Sequence, residues 1–249
     1  MFVLPAVAWG VDFTFEIPPV PASVDIGGQH IALTVSGELS ASPDSPGGRD
    51  QSFNLNLRAD LGDLQTHLTS LLQTELNKPD RCGERIAVQH ASLAPATPRG
   101  NLAVQLHIEK WICVKALGQN DAKKLVGGDA TVHVFLTPYL EKSETAAQTV
   151  RLEAEIDTID ADGPLGELLR SGSIGTALRD KIREEILKAI HKAVDLEGVM
   201  PSETKRFLTL QTIVFADAGF GRLALELAGR LMVPGEQVSS VLEQFGNRR

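Results

Sequence analysis

The chain has 249 residues, 43% apolar and 22% charged, the balance of an ordinary globular protein, which excludes a disordered or fibrous chain. Thirty-two Asp plus Glu against 24 Lys plus Arg leave a net charge of −8, so a phosphate backbone is repelled on average and no nucleic acid is expected as a partner, a local basic patch being the alternative left open. No stretch approaches the roughly 20 apolar residues of a membrane-spanning helix, and a chain of this length can bury enough surface to fold without a metal or disulfide.

Positions 1–10, MFVLPAVAWG, are apolar, and Ala6-Val7-Ala8 has the small-residue form of a cleavage site. They read as the remnant of a signal peptide, which predicts a periplasmic or otherwise exported soluble protein. A native N-terminal strand, or an apolar arm packing on the body, is the competing reading. Alternating runs at 13–17, 31–39 and 53–57 predict strands, separated by the proline-bearing stretches PPVPAS (18–23) and SPDSPGG (42–48). Leu61, Leu64, Leu68, Leu71, Leu72 and Leu76 recur every three or four residues and predict a helix, closed by Asn77-Lys78-Pro79.

Cys82 and Cys113 are the only cysteines, and their spacing fits no CxxC redox or zinc pattern. A buried thiol pair and a disulfide are the two options. Strands at 84–93 and 102–115 joined by a turn at 94–101 put Leu102 beside Ser92, Leu106 beside Val88 and Cys113 within one residue of facing Cys82. Opposed Cα atoms in such a pair lie about 4.5 to 5.5 Å apart, so a disulfide is expected, in keeping with an oxidising compartment.

Residues 118–128 read as a polar loop, and 130–139 and 149–159 as long strands. Ile174, Leu178, Ile182, Ile186, Ile190 and Val194 then mark the strongest helical stripe, with Ser171 or Ser173 as its expected cap and its end near Gly198. Residues 85–110 can be laid over 206–230: Gln89 on Gln211, Leu93 on Phe215, Leu102 on Leu223 and Leu106 on Leu227, at an offset of 122 before the turn and 121 after it. Upstream, Leu64, Leu68 and Leu72 fall on Ile186, Ile190 and Val194. Either two related halves, about 53–125 and 149–245, make one domain over 11–249, or common alternation has produced a chance match.

Sequences that could carry chemistry fail on their details. Ser171-Gly172-Ser173-Ile174-Gly175 lacks the first glycine of a nucleophile elbow, and no lysine follows to make it a phosphate loop. Asp157, Asp160, Asp162 and Gly163 suggest a calcium loop, but Thr158 and Leu169 occupy its first and twelfth positions. Among six histidines, only His107-Ile108-Glu109 sets two ligand types on one strand face, and a solvent-facing pair is the commoner meaning. No catalytic, metal or cofactor site is expected, and the chain reads as a non-enzyme.

A long apolar stripe must pack on something, and the alternating strands offer a one-faced sheet. The fold class expected is α+β, a long twisted antiparallel sheet wrapped around two long amphipathic helices with an internal helix-hairpin repeat. Leu64, Leu68, Leu72, Leu102, Leu106, Leu178, Ile182, Ile186, Ile190, Leu223 and Leu227 are the candidates to line its interior, which is either packed or hollow. This order of long strand, long helix and long hairpin at 61–110 and 174–230, after an IPPVPAS-type turn, resembles the tubular lipid-binding superfamily. Bactericidal permeability-increasing protein and the synaptotagmin-like lipid-transfer modules belong to it. The resemblance implies a roll of sheet around helices and binding or transfer of a lipid or other apolar small molecule in the bacterial cell envelope. An envelope interaction or scaffold module with a packed core stands beside it. Any peripheral membrane contact would fall to loops such as 95–100 or 219–221, since the acidic balance disfavours anionic lipid surfaces. The ligand, the protein partners and the oligomeric state are not written in the sequence.

Overall fold

A computed structural model describes residues 14–26, 28–41, 50–77, 83–116, 119–142, 148–193 and 208–234. About 70% of the described residues are in strands. The element order is β1 (Thr14–Ile26), β2 (Gln29–Ala41), β3 (Asp50–Asp60), α1 (Gly62–Leu76), β4 (Gly83–Ala96), β5 (Arg99–Ala116), β6 (Gln119–Lys142), β7 (Gln148–Ala161), α2 (Gly163–Arg170), α3 (Gly172–Ala193), β8 (Leu208–Asp217) and β9 (Leu223–Pro234). Two antiparallel sheets form, in the orders β1-β2-β3-β9-β8 and β4-β5-β6-β7.

This overturns the expected single sheet wrapped around two long helices. Strands dominate, and the described helices have 15, 8 and 22 residues. The largest error is at 118–128, expected as a loop. Residues 119–127 are the first part of the 24-residue β6 and pair with β5, Gln119 opposite Ala116 and Gly127 opposite Glu109. Ala122, Lys123, Lys124 and Leu125 in succession are exposed, so this part of the ribbon runs past the core and has no apolar alternation to reveal it.

The helices are the crossovers between the sheets: α1 leads from β3 to β4, and α2 with α3 from β7 towards β8. Between them lies one large core, in which Leu72, Leu106, Val132, Leu165, Ile182 and Ile186 are fully enclosed. A smaller cluster of Ile17, Leu39, Phe53, Leu55, Leu231 and Val233 lies further along the first sheet.

One face of α1 substitutes for a strand. Gln65, Thr69, Gln73 and Asn77, each four residues apart, line up along the free edge of β4. Gln65 Nε2 donates to Leu93 O at 2.6 Å and Gln73 Nε2 to Val88 O at 3.0 Å. The Val88 N–H donates to Asn77 Oδ1 at 2.7 Å, and the Ala91 N–H to Thr69 Oγ1 at 3.0 Å. Backbone groups that would attract a foreign strand are thereby satisfied.

The hairpins β4–β5 and β8–β9 share a detail. Both carry a bulge at the matched glutamine, between Val88 and His90 and between Leu210 and Thr212. Val88, Ala91 and Leu93 are buried, as are Leu210, Ile213 and Phe215, each 122 positions later. The register corrects the rest of the alignment. Leu106 faces Val88, but Leu102 faces Leu93 rather than Ser92, while Phe215 faces Leu225. The offset past the turn is therefore 123, and Leu102 corresponds to Leu225.

Candidate apolar groove

The expected lining residues do meet, but in the core. Leu64, Leu68, Leu72, Leu102, Leu106, Leu178, Ile182, Ile186 and Leu223 are all buried in the large cluster, and Leu227 packs against it half-buried. The Ile190 side chain and Val194 lie outside the described residues. Leu178 and Leu227 also line the two cavities described below, a different one each.

The larger cavity, about 950 Å³, lies across the first sheet, with Glu16, Glu38, Arg58 and Glu226 among its walls. Its charge makes it a poor seat for an acyl chain. The second, about 780 Å³, lies between the α2–α3 corner and the ribbon β5–β6. Leu125, Val126, Pro164, Leu168, Ala177 and Leu178 give it apolar walls, with Glu84 and Lys110 among the polar groups that line it. This size and this mixture suit a small amphiphilic ligand, for which pockets run to about 300–1,000 Å³.

Local chain geometry builds the groove. Lys110 pairs with Val126 and Trp111 with Lys124, so Leu125 is the extra residue of a bulge. A bulge re-aims a side chain, and Leu125, 56% exposed, lines the groove although it belongs to a polar ribbon. The opposite wall needs the α2–α3 corner to be tight. A Cβ at Gly175 would stand 2.3 Å from Leu168 O, so only glycine lets the first turn of α3 close on the last turn of α2. At this corner Ser171 departs from the capping role expected of it. Its hydroxyl donates back to Leu168 O at 2.7 Å, closing α2, and its carbonyl accepts the Gly175 N–H at 2.8 Å.

Among the polar lining residues, Lys110 Nζ donates to the Glu84 carboxylate. That bond is the main reason the Glu84 carboxyl is held below its usual range, with Lys181 adding a weaker attraction. Both partners of the pair are about 30% exposed, so the charges remain accessible to a polar head group.

Other sequence candidates fall elsewhere. His107 and Glu109 do share a strand face, and they join an ion-pair network: His107 Nδ1 to Asp129 at 2.7 Å, His107 Nε2 to Glu109 at 3.6 Å, and Trp111 Nε1 donating to Glu109 at 2.9 Å. Among the described residues no three His, Cys, Asp or Glu side chains form a metal-holding group. Cys82 lies outside the described residues. Its neighbour Gly83 faces Trp111, so β4 approaches the Cys113 end of β5 in the expected register. Leu125, Val126, Pro164, Leu168 and Ala177 were missed as site residues. The available signal was the apolar pair Leu125-Val126 set inside a polar run. No helix among the described residues is long and apolar enough to cross a membrane. No protein-family model matches the chain, and neither does any curated protein.

Proposed function

We propose that the protein binds or transfers a lipid or other apolar small molecule in the bacterial cell envelope, without catalysing a reaction on it. The observation that carries this reading is the 780 Å³ groove, where an exposed Leu125 and the Leu168 and Leu178 side chains form an apolar trough alongside the Glu84–Lys110 pair. An acyl chain along the trough would bury surface at about 25 cal/mol per Å², while the pair meets its polar end. On the same reading Cys82 and Cys113 are bridged, as suits an exported chain.

Native mass spectrometry of the purified protein, incubated with lysophosphatidylcholine and gently activated, tests the proposal. The expected result is a complex that sheds one discrete lipid mass and that Leu125→Asp abolishes. Absence of the complex would favour a second reading, an interaction or scaffold module. That reading draws on the enclosure of most predicted lining residues within one core.

A further inference from the structure

The turn between β8 and β9 carries three consecutive residues in the left-handed region: Gly219 at φ 96°, Phe220 at 59° and Gly221 at 74°. Among the described residues Phe220 is the only non-glycine with positive φ. Such a conformation costs a side-chain-bearing residue roughly 1–2 kcal/mol, and the ring gains nothing in return, because it is fully exposed to solvent. A large apolar side chain is thus held in water by a strained backbone, the reverse of what folding stability favours.

The turn is firmly braced. Asp217 Oδ1 accepts from the Gly219 N–H at 2.7 Å, Ala218 N–H donates to Arg222 O at 2.8 Å, and Gln65 of α1 grips both Gly221 O (3.0 Å) and the Leu223 N–H (2.9 Å). Around the ring the surface is polar: Arg222 pairs with Asp60 at 3.1 Å, and Arg58 donates to Asp217 O at 2.8 Å. One projecting ring with a polar collar is far short of the roughly 800 Å² that each partner contributes to a stable protein interface. A lipid interface, by contrast, moulds itself around a single projecting aromatic.

We infer that Phe220 is a shallow anchor that inserts into a zwitterionic bilayer surface. The lipid class follows from charge. Arg222 is paired with Asp60 at 3.1 Å and Arg58 with Glu226 at 3.7 Å, and the Asp217 carboxylate lies beside them, so the tip holds no excess positive charge to draw anionic lipid, which the whole chain at −8 repels. This inference goes beyond ligand binding in the groove and does not require the groove to be filled.

The test introduces Phe220→Trp and measures emission with phosphatidylcholine vesicles, plain or brominated in the acyl chains, at high lipid because one side chain binds weakly. The parent, with Trp9 and Trp111, is the baseline. The expected result is a blue-shifted, bromine-quenched signal beyond that of the parent, weakened when phosphatidylglycerol is added at low salt. Phe220→Gly, which relieves the backbone strain and so preserves the fold, is expected to lose co-sedimentation with the same vesicles while still taking lysophosphatidylcholine into the groove. Emission unchanged by vesicles, quenching equal to the parent's, co-sedimentation of Phe220→Gly at the parent's level, or binding that requires phosphatidylglycerol would each overturn the inference. Should the tryptophan variant misfold, the Phe220→Gly comparison decides alone.

Discussion

The side-chain amide of Gln148 makes with Leu210 the two hydrogen bonds that a neighbouring strand would make: the Leu210 N–H donates to Oε1 at 2.7 Å, and Nε2 donates to Leu210 O at 2.9 Å. Gln148 opens β7 in one sheet, and Leu210 lies on β8, the outer strand of the other. One residue thus closes a seam between the sheets. Gln148→Ala strands two backbone groups at a half-buried site, at a cost of about 1–3 kcal/mol. The urea midpoint should fall accordingly, and the freed edge should raise the tendency to aggregate. A midpoint equal to the parent's would show that water replaces the amide without penalty.

The α1 ladder gives a second expectation of the same kind. The Thr69 hydroxyl both accepts from the Ala91 N–H and donates to the Ala91 carbonyl at 3.2 Å. Thr69→Val keeps the shape and loses both bonds, which should cost about 1–3 kcal/mol, while Thr69→Ser should recover most of it. Equal denaturation midpoints for the valine and serine variants would remove the hydrogen bonds from the account.

The parts legible in the sequence are those where burial repeats with a period. Leucines at spacings of three and four mark α1, and Val88 facing Leu106 follows from alternation alone. Polar side chains that replace a strand, such as Gln65, Thr69 and Gln73, recur every four residues as on any solvated helix face, and their meaning depends on which edge they meet. The groove was hidden for a related reason. Leu125 acts as a lining residue only because a bulge turns it out of the polar alternation around it, and the stripe residues Ile182 and Ile186 are spent on the core.

Glu109 links the outer face of the second sheet to pH. The Lys124 ammonium and then the Trp111 indole N–H, both bonded to its carboxylate, hold its pKa at about 2, below the ordinary 4.5. The folded value is the lower one, so the contribution is present above about pH 4.5 and lost as the pH falls towards 2. Glu109→Gln should therefore unfold at lower urea than the parent at pH 7, and the gap should close by pH 2. A gap that persists unchanged at pH 2 would mean that the network does not depend on the carboxylate charge.

The proposed bridge between Cys82 and Cys113 would close a loop of about 30 residues, for which the chain-entropy model gives about 3.5 kcal/mol. Thiol titration of the denatured, unreduced protein should find no free sulfhydryl, and reduction should lower the melting temperature by several degrees. Two titratable thiols would remove the bridge and, with it, one support for export.

Substitutions at two leucines separate core from site. Leu72 is fully enclosed beneath α1, so Leu72→Ala leaves a cavity and should cost about 2–5 kcal/mol. Leu125 is more than half exposed, so Leu125→Asp should change stability by less than about 0.5 kcal/mol. If the groove is the ligand site, the aspartate variant keeps its urea midpoint and loses lysophosphatidylcholine, because a carboxylate is then set among Val126, Leu168 and Leu178. The alanine variant should show the opposite pattern under conditions where it remains folded: a lower midpoint with lipid uptake retained. Loss of uptake in folded Leu72→Ala together with retention in Leu125→Asp would move the ligand from the surface groove into the interior between α1 and α3.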